Sequence, residues 1–416
     1  MSGDSDAIGF FERLSSPFRN RNYRYYFAGA ASLYVGFWMQ VVAVGWLAYR
    51  LSGSKTVLGV VSGLETLPAL FFALYAGAIA DRVDRKILVN ATQIVFAGQA
   101  FALALLYYAH AMTLSRLFVL AAIGGIADAF FIPARSALIV DVVGADMLMN
   151  ANALGSMMFN GARIVGPVLA GPLLARFGEG AVFLANGAAC IAAALTMIPI
   201  RVETRLAEPE SKGSLLHDML EGLTYVAKHP FLSRLCVTMA IYSILGMNYI
   251  VLMPAFARDV YHGDARVLGW LFAAMGCGAL VSALAVAGSK GRQSWGTLFA
   301  TALALPVSQI VFSRAGDFRV ALPLLAFVGF AVVAYWVRMN TLVQLSTDEA
   351  MLGRVMGLYT TIFMGLAPFG SIIAGSVADR FGAPFAIASG CAVCVLACLW
   401  VFPTVRDPLR ARLATS

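Results

Sequence analysis

Apolar residues along this chain come in runs of roughly twenty, parted by short polar clusters. A bilayer core needs about 20 apolar residues per helix. On that ruler twelve runs qualify, at 25–50, 57–80, 87–110, 114–139, 150–175, 180–199, 231–254, 266–288, 294–313, 319–339, 352–377 and 383–403. The long polar interruption, 200–230, follows the sixth. The pattern therefore predicts an all-α integral membrane protein of twelve transmembrane helices in two pseudo-symmetric six-helix halves. Its parts are a cytoplasmic segment 1–24, a bundle 25–199, a linker 200–230, a second bundle 231–403 and a cytoplasmic tail 404–416.

Within the linker, Leu215, Leu216, Met219, Leu220, Leu223 and Val226 recur at helical spacing, with His217, Asp218, Glu221 and Lys228 on other faces. This predicts an amphipathic helix at the cytoplasmic membrane surface, joining the halves or serving as a regulatory site.

Composition strengthens the membrane reading. Of 416 residues 60% are apolar and 12% charged, with mean hydropathy +0.80, against about 45–50% and 25% in soluble domains. Too few charges remain to coat a soluble fold of this size, which sets aside soluble enzymes and nucleic-acid binders. The net charge of +8 sits in clusters between apolar runs rather than on one face. Assigning alternate loops to alternate sides puts 20 basic residues with the termini and linker, Arg135, Arg338 and Arg354 among them, and 9 on the other side. That bias orients both termini and the linker toward the cytoplasm of a multi-pass cell inner-membrane protein. No cleavable signal is expected, because the first apolar run follows a polar head and leads into further spans. Cys190, Cys236, Cys277, Cys391, Cys394 and Cys398 lie inside apolar runs and read as small buried hydrophobes.

Displaced by 204 residues, the chain lays Gly161, Gly166, Ala170, Gly171, Arg176, Phe177 and Gly178 on Gly365, Gly370, Ala374, Gly375, Arg380, Phe381 and Gly382. The same offset carries one six-helix half onto the other. Parallel repeats of this kind suit a transporter built from two rocking halves.

The loop after the second span reads Gly77-Ala-Ile-Ala-Asp81-Arg82-Val-Asp84-Arg85-Lys86. It resembles the G-x-L-a-D-R-x-G-R-R/K loop of the major facilitator superfamily, departing at Asp84, where that family usually has Gly. Gly166, Pro167 and Gly171 of span five are similar to a weakened form of the superfamily's antiporter motif. Asp128-Ala-Phe-Phe-Ile-Pro133-Ala-Arg135, Asp141, Asn150-Ala-Asn-Ala-Leu154, Glu221-Gly-Leu-Thr-Tyr225 and Gly353-Arg354-Val-Met-Gly357 resemble the branch containing the enterobactin and macrolide exporters. The arginine that drug/proton antiporters carry four residues before the span-four glycine is replaced by Leu120, before Gly124.

The resemblance implies a secondary active transporter working by alternating access, with proton-coupled efflux of a siderophore or drug-like amphipathic solute as the expected activity. Facilitated uptake and lipid or lysolipid transport are the alternatives. From the superfamily's usual arrangement it also implies a cavity lined on or near Tyr34, Trp38, Gln40, Asp128, Phe131, Tyr242, Asn248, Tyr249, Tyr335, Trp336 and Arg338. Near the cytoplasmic face it implies a latch between the halves made by Asp81, Asp348, Glu349 and Arg354.

Ionisable residues at bilayer depth are costly and mark function by default. Asp128 and Arg163 fall near the middles of spans four and five and are expected to pair, as a protonation-linked switch or as a static brace. Glu65 is the second protonation candidate. The chain has no Walker A sequence, so ATP does not power it directly. Its histidines at 110, 217, 229 and 262 make no metal-ligand spacing, and no catalytic constellation can be defended. The expectation is a monomeric transporter without metal or cofactor, whose partners are a small solute, protons and membrane lipid, with no nucleic acid; an integral membrane enzyme is the weaker alternative.

Overall fold

The computed structural model of the chain describes residues 15–202, 215–288 and 295–415. Arg13, Arg205, Lys212, Lys290 and Arg292 lie outside the described residues, as do the side chains of Asp81, Leu215, Leu216, His217, Asp218, Met219, Arg406, Arg410 and Arg412. Among the described residues thirteen principal helices follow one another: α1 Arg21–Ser52, α2 Lys55–Arg82, α3 Arg85–Tyr108, α4 Leu114–Val143, α5 Leu148–Phe177, α6 Glu179–Met197, α7 Leu215–Lys228, α8 Pro230–Val260, α9 Ala265–Gly288, α10 Trp295–Ser313, α11 Phe318–Leu345, α12 Leu352–Phe381 and α13 Ala383–Thr415. All but α7 contain a stretch long and apolar enough to cross a membrane, twelve in number.

The 204-residue offset is visible in the helices themselves. It carries Leu148–Phe177 end for end onto Leu352–Phe381. Both helices stop at a glycine with positive φ, Gly178 at 76° and Gly382 at 89°, a conformation costly for a residue bearing Cβ.

At the α2–α3 turn, Asp84 has φ −54°, and its carboxylate accepts from the Lys86 and Ile87 amides at 2.8 and 3.4 Å. Nothing in that backbone requires glycine; the aspartate caps the next helix instead.

The chain packs as two compact units. One comprises residues 1–44 and 71–210, the other 45–70 and 211–416. In the first unit, small residues set the helix crossings. A Cβ on Gly166 would stand 2.6 Å from Trp38 Cβ and 2.9 Å from the Val35 carbonyl, and one on Gly187 would enter the Phe101 ring. A chain of amides runs through this bundle: Asn186 Nδ2 donates to Gln40 Oε1 at 2.7 Å, Gln40 Nε2 to Gln99 Oε1 at 3.0 Å, and Gln99 Nε2 to the Leu120 carbonyl at 3.1 Å.

In the second unit, Gly278 of α9 lies against the Ala326 backbone of α11, and Gly329 of α11 against Met275 of α9. Helix α8 carries π-helical turns at Tyr242–Gly246 and Phe256–Val260. Widened turns leave carbonyls in need of donors; Gln309 Nε2 supplies one to Gly246 O at 2.8 Å, and Gln309 Oε1 accepts from Cys391 Sγ at 3.4 Å. Outward-facing Leu105, Val119, Leu396 and Trp400 leave large apolar surface for a lipid solvent.

Candidate functional site

Asp128 is the fifteenth of the thirty residues of α4, at its middle, and is half-buried. Seven residues on, at about −20° round the helix and 10.5 Å along it, lies Arg135 on the same face. Arg135 is the charged group acting on Asp128.

Arg135 counts among the cytoplasmic loop residues in the charge tally, and here the structure corrects it. It lies inside α4, eight residues or about 12 Å from the helix end. Its Nη1 donates to the Tyr34 hydroxyl, Tyr26 lines a common hollow with it, and its guanidinium stands 5.5 Å from the Tyr34 ring centre and 6.0 Å from that of Phe131. Tyr26, Tyr34, Gln93, Phe131, Arg135 and Met197 line a small hollow within this bundle. Arg338, also in the tally, sits within α11 and donates to the Ala334 carbonyl at 3.0 Å. Removing both leaves 18 basic residues against 9, the same bias.

The expected contact of Asp128 with Arg163 is replaced by two separate arrangements. Asp128 faces Arg135, and the Arg163 guanidinium, only 9% exposed, lies over the Trp38 indole at 5.1 Å. Phe159 meets both Tyr34 and Trp38, at 5.1 and 5.7 Å between ring centres. Glu65 is half-buried on α2.

The residues assigned to a cavity divide. Tyr34, Trp38 and Phe131 cluster around Arg135 and Arg163. Gln40 is held in the amide chain described above. Tyr242 and Tyr335 are fully buried and stacked at 4.8 Å, the Tyr242 hydroxyl donating to Ala302 O at 2.7 Å. Asn248 bonds back to the Ile244 carbonyl, Tyr249 is 1% exposed, and Trp336 packs 4.2 Å from Phe363.

At the α2–α3 loop, Arg85 Nη1 meets both oxygens of Asp141 at 2.8 and 3.0 Å, and Lys86 Nζ donates to the Ile198 and Ile200 carbonyls. These basic residues fasten the ends of α3, α4 and α6 within one unit. Gly77 has no neighbour that a Cβ would meet, and Arg82 is exposed. In the other unit, Arg354 pairs with Glu221 at 3.4 Å, Asp348 accepts from the Tyr225 hydroxyl at 2.8 Å, and Gly222 fits against the Arg354 backbone. Helix α7 is thus docked on α12, while Leu220 and Leu223 stay exposed and Glu349 points outward in a short 3-10 turn.

A second acidic constellation went unread in the sequence. Asp379 near the end of α12 accepts from the Lys55 and Thr56 amides and from the Ser54 and Thr56 hydroxyls at 2.6–2.9 Å. Asp259 accepts from Tyr49 at 2.6 Å and pairs with Lys55 at 2.9 Å. Close by, Gly59 and Gly375 let the start of α2 touch α12 backbone to backbone.

The comparisons with known proteins agree with this architecture. The bacterial Spinster homologue, titled a homologue of the human lysosomal transporter, superposes with a TM-score of 0.72 at 16% identity, covering 94% of this chain and 98% of that one. The nucleoside transporter NupG gives 0.74 at 12% identity, covering 92% and 100%. Both likenesses concern the fold. Among sequences, the multidrug efflux pump Tap of Mycolicibacterium fortuitum is 28% identical over 82% of this chain and 85% of its own length. The staphyloferrin A transporter of Staphylococcus aureus is 23% identical over 94% and 98%. The sequence model of the transmembrane secretion effector family matches residues 14–411, and this chain belongs to that family, a membrane transporter of the major facilitator superfamily and not an enzyme.

Proposed function

We propose that the protein exports an amphipathic small molecule, of siderophore or drug-like kind, across the inner membrane by alternating access, driven by the proton gradient, with both termini cytoplasmic. The observation that carries the reading is Asp128, an acid at the midpoint of an apolar helix with a basic residue on the same face. An ionisable group there costs several kcal/mol and is by default a site where a proton or a solute exchanges. The relatives named as a multidrug efflux pump and a siderophore transporter support the solute class.

A deletion strain screened against siderophores and antibiotics identifies the solute. Its flux is then measured in oriented proteoliposomes with and without an imposed pH gradient. Uphill movement out of the cytoplasmic side that collapses with the gradient, and is lost in Asp128→Asn, is the expected result. Gradient-independent flux equal in both directions would replace the reading with facilitated transport.

A further inference from the structure

Arg135 stands inside a helical bundle with Asp128 as its charged neighbour but with no direct ion pair among the described residues. Among the described residues no carboxylate comes within 4.0 Å of it. Asp128, its charged neighbour on α4, is about two helical turns away. What touches the guanidinium is neutral: the hydroxyl of Tyr34 and the rings of Tyr34 and Phe131, with Tyr26 lining the same hollow. Phenols and aromatic faces hold a guanidinium in place without neutralising it. The hollow beside it is also lined by Gln93, which is 2% exposed and whose Oε1 has no hydrogen-bond partner among the described residues. A fixed cation, hydroxyls that can turn to donate, and an idle amide carbonyl line a hollow with room for about one water, and would serve an oxyanion with a neighbouring hydroxyl or amide once the helices part to admit it.

We infer that Arg135, with the Tyr26 and Tyr34 hydroxyls, recognises a carboxylate of the transported solute, and that Gln93 accepts from an adjacent O–H or N–H. The carboxylate is favoured because a planar guanidinium offers it paired donors. Arg135 thereby stops being a brace between α1 and α4 alone and becomes a specificity-determining residue. The inference rests on the transporter reading above, which supplies the solute.

The test uses the full chain in nanodiscs at pH 8 with two probes of matched size, 2-naphthoate and 2-naphthamide, and reads dissociation constants by calorimetry. Wild type is expected to bind the carboxylate at least tenfold tighter than the amide. Arg135→Gln should abolish that preference, and Tyr34→Phe, which keeps the charge and most of the packing, should weaken carboxylate binding several-fold while leaving the amide unchanged. Thermal unfolding of the ligand-free variants confirms that each is folded; if Arg135→Gln is not, Arg135→Lys serves, with a preference reduced but present. Equal binding of the two probes by wild type, no binding of the carboxylate, or a preference that survives Arg135→Gln and disappears in Arg163→Gln would overturn the assignment. Proton-driven flux of the screened solute, measured separately on the same wild-type preparation, keeps the transporter reading distinguishable: its persistence beside a failed carboxylate preference rejects the Arg135 site alone.

Discussion

Replacing Asp128 with asparagine removes a negative charge about 10 Å from where a carboxylate would sit on Arg135. The distance follows from seven residues of α4 at 1.5 Å each, with both side chains on one face. Two unit charges 10 Å apart repel by about 1.7 kcal/mol at an effective dielectric of 20. At about 1.4 kcal/mol per factor of ten, loss of that charge in Asp128→Asn should tighten 2-naphthoate binding roughly tenfold and leave 2-naphthamide unchanged. Calorimetry on both proteins in nanodiscs reads it. A carboxylate affinity unchanged within twofold, or weakened, would refute the electrostatic link between the two residues. The sign has a consequence for coupling: an anion on Arg135 and a proton on Asp128 favour each other, so a purely anionic solute would travel with a proton. Exchange against protons requires a solute that also places a basic group toward Asp128, which makes an amphoteric molecule the expected cargo.

The remaining predictions address the framework. Arg85→Gln strands the largely buried Asp141 carboxylate and should cost about 3 kcal/mol, seen as a lowered unfolding midpoint, while Arg85→Gln with Asp141→Asn recovers most of it. Asp379→Asn keeps the shape but loses the charge that four donors share, and amide exchange at Lys55 and Thr56 should quicken about tenfold. Gly278→Ala drives a methyl into the Ala326 carbonyl and should destabilise by about 1–3 kcal/mol, with reduced yield of folded protein.

The twelve spans were legible because a bilayer allows few solutions: every backbone group must be bonded within its own helix, so each crossing writes a long apolar run into the sequence. The repeat was legible for a related reason, since helix ends and close helix approaches demand small residues at fixed places, as at Gly178 and Gly382 with their positive φ and at Gly166 and Gly370 against neighbouring helices. Side-chain partners were not. Arg135 counted as a topological marker because a basic residue looks the same in a loop and in a helix; its place within the predicted span 114–139 was the signal that should have separated it. Depth in an apolar run marks Asp128, and the helical period puts Arg135 on its own face, nearer in register than any residue of the neighbouring helix can be read from sequence. Gln40 drew a cavity role from its position, whereas its amide completes a chain with Gln99 and Asn186 that only the fold assembles. Asp379 and Lys55 stand 324 residues apart, and no local pattern joins them. Asp348 and Arg354 were expected in a latch between the halves, and the partners observed for them, Tyr225 and Glu221, come from the linker helix.

In the proposed mechanism Asp128 carries the proton that drives export. Proteoliposomes loaded with a pH-sensitive dye and given a pulse of the screened solute test it directly, with solute–solute exchange measured alongside. Wild type should move protons on each pulse, and Asp128→Asn should lose that proton movement at least tenfold while retaining exchange. Proton movement undiminished in Asp128→Asn would contradict the account.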